Sequence, residues 1–179
     1  MSGHNKWSKI KHKKAATDSQ KSKVFSKHSS LITMESRLCG GEVNSPGLYA
    51  AIERAKKDSM PKENIERAVA KGQGNDGAQL HEVLFETYGP GGVAMLITAV
   101  TDNNNRTSQE IKHALTRLGY QLGGPGSASW AFTKREHIYS PNTPLALSEE
   151  DGEQLAHLIE ALEDQADVHD IFTTADEPT

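Results

Sequence analysis

Residues 72–79 divide the sequence into two parts with different hydrophobic periodicities. Before this turn-rich segment, apolar residues recur at separations of three, four and seven, which is the spacing of one helical face. After it, short runs alternate between apolar and polar residues, as half-buried strands do. The sequence therefore predicts a basic arm over residues 1–14, a helical domain over residues 15–74 and an α+β domain over residues 79–179.

The same boundary separates a basic half of the chain from an acidic half. Residues 1–74 contain fifteen Lys and Arg against seven Asp and Glu, whereas residues 75–179 contain five against seventeen. The net charge of −4 for the whole chain conceals this division. We expect an anionic partner to bind the first half and to avoid the second.

The helical domain is predicted to be a bundle of three helices. The first helix, over residues 15–38, has an apolar stripe formed by Val24, Phe25, Leu31, Ile32 and Leu38. The second is predicted to open at Ser45 and Pro46, and the third to have Pro61 in its first turn. Helices this short can bury their stripes only against one another.

The second domain is predicted to be a ferredoxin-like antiparallel sheet with two helices on one face. Strands are expected over residues 83–87 and 93–100, joined as a hairpin, then around Trp130 and Phe132, and last over residues 168–172. One helix is predicted to start at Thr107, whose spacing from Glu110 suits a capping box, and the other after Ser148.

The first fourteen residues, MSGHNKWSKIKHKK, are predicted to be a nucleic-acid-binding arm. The segment has no acidic residue and no apolar run, so it cannot bury enough surface to fold alone. Lysines attract phosphates irrespective of sequence, and an indole can stack on an exposed base. The alternative is a solvated tail. The candidate binding residues of the arm are Lys6, Trp7, Lys9, Lys11, His12, Lys13 and Lys14.

Four further cations complete the predicted binding surface. Lys21, Lys23 and Lys27 continue the basic character of the arm along the first helix. Arg106 closes a polar loop, residues 102–106, that follows an apolar strand. Such loops can form active sites, but the favoured interpretation is a hydrogen-bonded connection that fixes the start of the next helix.

The sequence contains no recognisable catalytic or metal-binding constellation. Its eight histidines are scattered, and Cys39 is the only cysteine, so neither a disulfide within the chain nor a thiolate zinc site is expected. The glycines at 89–92 join strand to strand and lack the lysine of a phosphate-binding loop. We expect a monomeric cytoplasmic protein without enzyme activity, cofactor, metal or membrane contact.

Six motifs follow one another along the chain: GHNKWSKIKHKKAA, KSKVFSK, MPKENIERAVAKG, YGPGGVA, TDNNNRT and GSASWAF. In this order they resemble the signature segments of the YebC-like proteins, which include bacterial proteins described as transcriptional regulators and mitochondrial translational activators of cytochrome oxidase synthesis. The resemblance covers residues 3–138 and continues in the C-terminal segment LIEALEDQADVHDIFTTAD. It implies a helical N-terminal domain followed by α+β domains.

The resemblance implies one of two roles, binding promoter DNA or binding ribosomal RNA to help translation of difficult stretches such as consecutive prolines. The sequence shows no helix-turn-helix, zinc finger or basic zipper. A lysine arm with one tryptophan suits irregular RNA, where splayed bases and phosphates are both accessible. We therefore favour a ribosome-associated translation factor, with a DNA-binding regulator as the alternative and a protein adaptor third.

The sequence departs from the family pattern in three places. Relatives usually carry a further acidic domain after the Trp-containing strand, but here residues 139–144 lead almost directly to the last helix, which predicts a two-domain short form. Asn104 stands where an arginine is common, and His28 and the two serines after it stand where a further basic residue is common. The last two changes remove positive charge.

Overall fold

The computed structural model describes residues 18–74, 77, 79–135 and 138–176 of the chain. Backbone contacts divide these residues into a helical unit, which runs to Glu82 and also takes in the short segment Val100–Asp102, and an α+β unit formed by the rest of the chain from Val83. None of the helices in the described ranges is long and apolar enough to cross a membrane.

The helical unit consists of α1 (Asp18–Leu38), α2 (Pro46–Lys57) and α3 (Lys62–Gln73), as the sequence predicted. The core between them consists of the buried side chains Ile32, Leu48, Ala51, Ala55, Met60, Ile65 and Ala68. Pro61 is the N-cap of α3 and stands one position before its first turn. Because proline has no N–H to donate, its position at the helix entry leaves no helical hydrogen bond unmade.

Two residues of the predicted apolar stripe of α1 are not part of the core. Val24 is 38% exposed and Leu38 is 76% exposed, so their placement in the buried stripe was wrong. The reason is length, because α1 has 21 residues and each of its partners has 12. At about 1.5 Å per residue, neither partner can cover the whole of α1.

Small residues allow α1 and α3 to approach closely. The Ser36 hydroxyl donates to the main-chain carbonyl of Val69 at 2.7 Å, and the Thr33 hydroxyl donates to that of Ala68 at 3.2 Å. A Cβ on Gly72 would lie 2.5 Å from the Cβ of Ser36. The contact therefore requires glycine at position 72.

The α+β unit is built from six strands and two helices within the described ranges. In chain order these are β1 (His81–Tyr88), β2 (Ala94–Thr101), α4 (Asn104–Arg117), β3 (Leu122–Gly123), β4 (Phe132–Arg135), β5 (Ile138–Pro141), α5 (Glu149–Glu163) and β6 (Val168–Thr173). The main sheet has the order β3-β1-β2-β6, with β3 antiparallel to β1 and β6 antiparallel to β2. The predicted α+β class is confirmed.

Strand β2 is buried along its whole length because both faces of the main sheet are covered. On one face, Met95, Ile97 and Ala99 pack with apolar residues of α4 and α5. On the other, Ala94 and Leu96 pack with Phe132 of β4, which pairs with β5 in a separate two-stranded sheet. Alternate side chains of a strand point to opposite faces, so a doubly covered strand must be apolar throughout.

The predicted capping box at the start of α4 is wrong. The helix begins three residues earlier, at Asn104, and the side chain of Asn103 accepts the backbone N–H of Arg106 at 3.1 Å. Thr107 lies inside the first turn, where its hydroxyl donates to the Asp167 carboxylate at 2.6 Å. Asn103 follows almost directly after β2, and an asparagine there can cap as well as a threonine. The predicted cap of α5 is confirmed, since Ser148 accepts the backbone N–H of Asp151.

The chain after the second glycine-rich loop also differs from the prediction. Trp130 lies in a single 3₁₀ turn, Ser129–Ala131, and the strand begins only at Phe132. The residues expected to connect directly to the last helix form β5 instead. Sequence alternation could not identify this hairpin, because only one residue of β4 is buried.

Candidate nucleic-acid interface

The predicted arm lies outside the residues that the structure describes. This applies to seven of the eleven candidate binding residues, namely Lys6, Trp7, Lys9, Lys11, His12, Lys13 and Lys14. Between residues 18 and 74, ten Lys and Arg stand against seven Asp and Glu. The described helical unit is therefore only mildly basic, and most of the positive excess of the first half belongs to the arm.

The three candidate lysines of α1 are divided between two sides of the helix. Lys21 and Lys23 are exposed and Lys27 is half-buried. Lys23 and Lys27 are four residues apart and therefore lie on the same side. Lys21 is two residues from Lys23, which is about 200° around the helix. The structure thus brings together two of these three cations.

Arg106 is placed among carboxylates. One of its terminal guanidinium nitrogens lies 2.9 Å from the Asp167 carboxylate, and its Nε lies 4.0 Å from that of Glu110. The Arg106 side chain is 45% exposed. The polar loop fixes the start of α4 through the Asn103 cap, as the favoured interpretation predicted. The charge of Arg106 is partly neutralised within the protein.

Sequence reasoning missed a buried carboxylate in β1. Glu86 is 5% exposed, and its two oxygens accept the backbone N–H groups of Gly126, Ala128 and Ser129, each at 2.7 Å. Burial by itself raises the pKa of Glu86, but these hydrogen bonds outweigh it and hold the pKa below its usual 4.5. Glu86 is therefore ionised at neutral pH and fixes the glycine-rich loop onto the sheet.

Two exposed aromatic side chains are hydrogen-bonded to the loop that Glu86 fixes, namely Tyr88 at the end of β1 and Trp130 in the 3₁₀ turn, and we call them the aromatic platform. Trp130 is 70% exposed and Tyr88 is 40% exposed. The Tyr88 hydroxyl donates to the Ser127 carbonyl at 2.6 Å. The Trp130 Nε1 lies 3.0 Å from both that carbonyl and the Tyr88 hydroxyl oxygen. The polar edge of the indole is thus satisfied by the protein, while the ring stays exposed.

A compositional signal for the aromatic platform was present in the sequence. Residues 111–135 contain four Lys and Arg and no Asp or Glu, although they lie in the acidic half of the chain. Assignment of Trp130 to a strand obscured this signal, because alternation along a strand would have buried the ring. The observed 3₁₀ turn instead directs it toward solvent.

Two open cavities in the described parts of the chain are candidates for a catalytic site. One, of about 460 Å³, lies in the helical unit and is lined by Arg37, Gln73 and several glycines. The other, of about 580 Å³, lies in the α+β unit beside Tyr120, His157, Glu160 and Asp164. Burial, and then the charge of Asp151, raises the pKa of Tyr120, so this phenol stays protonated at neutral pH. In the described ranges no three His, Cys, Asp or Glu are placed to hold a metal ion.

Comparison with known proteins identifies the family. A family model described as the TACO1/YebC protein N-terminal domain matches residues 5–75, and one described as the TACO1/YebC second and third domain matches residues 80–139. A "probable transcriptional regulatory protein" of Chloroherpeton thalassium is 46% identical over 178 residues, which are 97% of this chain and 69% of that relative. The chain belongs to the TACO1/YebC family. The resemblance found in the sequence motifs is confirmed.

Further relatives show how the chain compares in length and fold. A "probable transcriptional regulatory protein" of Thermotoga maritima is 50% identical over 137 residues, which are 75% of this chain but only 54% of the relative. The chain therefore spans little more than half the length of that relative. A conserved hypothetical protein of Aquifex aeolicus, solved by crystallography, is 31% identical with a TM-score of 0.81, over 98% of each chain.

Proposed function

We propose that this TACO1/YebC protein is a non-enzymatic regulatory factor that binds nucleic acid, and that it acts at the ribosome by binding ribosomal RNA. The observation that carries the proposal is the distribution of charge. Residues 1–14 contain five lysines and no acid, whereas the second half of the chain is strongly acidic. The relatives' description as probable transcriptional regulatory proteins supports a regulatory role on nucleic acid.

The proposed mechanism is binding without bond chemistry. The arm lysines and the Lys23–Lys27 pair neutralise phosphates, while Trp7 stacks on a base or wedges between two. Lys21, on the other side of α1, remains a candidate for binding phosphate. Arg106 is the weakest member of the set, because Asp167 and Glu110 already offset its charge. In this mechanism the protein helps translation of difficult sequences by holding ribosomal RNA in one conformation.

The alternative is regulation of transcription through sequence-specific DNA binding, which the names of the relatives favour. Direct readout of DNA needs an element that enters a groove and places several side chains on base edges. In the described helical unit, cations are spread over all three helices and do not line one exposed recognition helix. RNA therefore remains the favoured target, and DNA is an outcome of the test below.

The two-domain short form is part of the proposal. The family match to the second and third domain ends at residue 139, inside β5, and α5 starts only eight residues after β5 ends. We infer that the β4–β5 hairpin occupies the position from which relatives extend their additional domain. A monomer in the cytoplasm, without cofactor, is expected to suffice for binding.

The experiment that tests the proposal is sedimentation of cell extract through a sucrose gradient, with and without ribonuclease. The protein is expected to migrate with ribosomal subunits and to leave them after ribonuclease treatment. Lys11, Lys13 and Lys14 are then replaced together by Glu, with Lys57, Lys62 and Lys71, exposed lysines of α2 and α3, replaced by Glu as a control of equal charge change. Only the first variant should leave the ribosomal fractions.

Purified protein and RNA provide a second measurement. If about five phosphates are contacted, the logarithm of the binding constant should fall with the logarithm of salt concentration at a slope of roughly −3.5 to −4.5. A slope near zero would remove the nucleic-acid proposal. If the protein were recovered with one promoter DNA fragment and not with ribosomes, the transcriptional alternative would be favoured.

A further inference from the structure

The exposure of Trp130 is unusual for its residue type. Tryptophan is highly buried on average, because its ring offers a large apolar area. In this structure 70% of Trp130 is in solvent, beside the 40% exposed ring of Tyr88. Its immediate surroundings are polar, since Thr133 donates to Asn142 at 2.6 Å and Asn142 donates to the main-chain carbonyl of Trp130 at 3.0 Å. The aromatic platform is an exposed pair of rings in a polar surface.

The aromatic platform is also fixed in position. The Trp130 Nε1 and the Tyr88 hydroxyl are hydrogen-bonded to the same loop, which the Glu86 carboxylate holds through three backbone N–H groups. Asn142 anchors the backbone of Trp130 from beyond β5. A ring that is already ordered loses less conformational entropy when a ligand stacks on it. These contacts prepare the exposed face for binding.

Cations outnumber acids in the stretch of sequence that contains Trp130. Lys134 and Arg135 are exposed on β4, four and five residues after Trp130. Residues 111–135 contain no Asp or Glu, whereas the remainder of the acidic half contains all seventeen acids and a single cation, Arg106. Five extended residues span at most about 18 Å, so the backbone of both cations lies within that distance of Trp130. The Lys134 Nζ lies over the Tyr139 ring, 5.3 Å from its centroid.

We propose that the aromatic platform is a second nucleic-acid contact, at which an unpaired base of single-stranded RNA stacks on Trp130 beside Tyr88. Lys134 or Arg135, whose side chains point to opposite faces of β4, then neutralises a phosphate of the same RNA strand. The inference rests on the proposed function. It adds a base-binding site in the second half of the chain, whose net negative charge would otherwise argue against nucleic-acid binding. A protein partner is less favoured, because interface hot spots are surrounded by contacts that exclude water, and the neighbours of Trp130 are polar.

Affinity is measured with an end-labelled single-stranded oligouridine and with a blunt duplex of the same length. Stacking on an aromatic side chain contributes about 1–3 kcal/mol per base, so Trp130→Ala should weaken single-strand binding by about 5- to 150-fold. Binding of the duplex should change little. Trp130→Phe, which keeps a ring, should lose less. Leu118→Ala removes another exposed apolar side chain, which lines the cavity beside Tyr120 and Glu160, and should change neither affinity.

Fluorescence provides a direct reading of the stacking. The chain has two tryptophans, so a Trp7→Phe background leaves Trp130 as the only indole. Saturating oligouridine should quench its emission, and the duplex should not. Wild-type affinity for Trp130→Ala together with unquenched emission would overturn the aromatic platform and leave the arm proposal standing. The aromatic platform would also be overturned if Trp130→Ala abolished a crosslink to a protein partner and left the affinity for RNA unchanged. If the wild-type chain bound no RNA at all, both proposals would fail.

Discussion

The carboxylate of Glu86 accepts the backbone N–H of Ala128 at 2.7 Å, across 42 positions of sequence. The same carboxylate also accepts the N–H groups of Gly126 and Ser129, so one buried charge organises the loop that carries Trp130. Hydrogen bonds to an ionised acceptor are stronger than those between neutral groups. The shape of this loop therefore depends on the ionisation of Glu86.

Replacing Glu86 by Gln should destabilise the α+β unit at neutral pH by about 1–3 kcal/mol, because the amide NH₂ would face backbone donors and leave at least one unsatisfied. The pKa of Glu86 is below 4.5 in the folded chain. Its contribution is thus complete above about pH 4.5 and is lost as the pH falls through the folded-state value. The difference in unfolding free energy between wild type and Glu86→Gln should shrink in that range.

Urea unfolding of both proteins between pH 3 and 7 measures this difference. Glu82→Gln is the matched control, because it makes the same substitution at an exposed residue of the same strand. An unfolding free-energy difference that did not change with pH would show that the charge of Glu86 is not what holds the loop.

Substitutions at two adjacent glycines in the β1–β2 turn distinguish the cost of backbone strain from the cost of side-chain crowding. Gly91 and Gly92 have φ of 62° and 81°, so alanine at either position should cost about 1–2 kcal/mol. A Cβ on Gly91 would also lie 2.6 Å from the Leu147 side chain, whereas a Cβ on Gly92 would have no neighbour within 4 Å. Gly91→Ala should therefore lose about 1 kcal/mol more than Gly92→Ala, because Leu147 must move from its place beside the core.

Thermal unfolding of the two alanine variants under one set of conditions checks this order. Equal losses would mean that Leu147 adjusts freely and that the turn does not support the start of α5. A larger loss of stability for Gly91→Ala would show that the contact between the turn and Leu147 contributes to the stability of the fold.

Local patterns in the sequence identified most of the fold, and distant contacts explain what they missed. The Ser148 cap of α5 depends on a few neighbouring residues, so it was predicted correctly. The role of Glu86 could not be predicted from its neighbours in the sequence, because its three donors lie about forty positions away. Trp130 was assigned to a strand because the 3₁₀ turn before β4 depends on the same distant carboxylate. The charge division identified the arm, but not the acid-free segment beside the aromatic platform.

The start of α4 offers a direct comparison between two candidate caps. If Asn103 is the cap, Asn103→Ala should cost about 1 kcal/mol, because the N–H of Arg106 loses its acceptor. Glu110→Ala should be nearly neutral, because the Glu110 side chain is 41% exposed and lies 4.0 Å from Arg106. A larger loss for Glu110→Ala than for Asn103→Ala, measured by urea unfolding, would restore the capping box that the sequence suggested.

Whether Gly72→Ala stabilises or destabilises the protein tests how closely α1 and α3 pack. In the interior of a helix, replacing glycine by alanine normally stabilises the protein by up to about 1 kcal/mol. In α3, however, the new Cβ would lie 2.5 Å from the Ser36 Cβ and 2.5 Å from the Thr33 carbonyl oxygen. The helices would have to separate and weaken the Ser36–Val69 hydrogen bond, so we expect a net loss of about 1–3 kcal/mol.

The exposed residue Ala70, two positions earlier in α3, calibrates the intrinsic preference of the same helix. Ala70→Gly should cost about 0.8–1 kcal/mol, since only helix propensity changes there. If Gly72→Ala instead stabilised the chain by a similar amount in urea unfolding followed by circular dichroism, α1 and α3 would have to lie further apart than the Ser36–Val69 distance of 2.7 Å requires. A loss at both positions can arise only if the glycine is needed for close packing, because propensity alone predicts opposite signs.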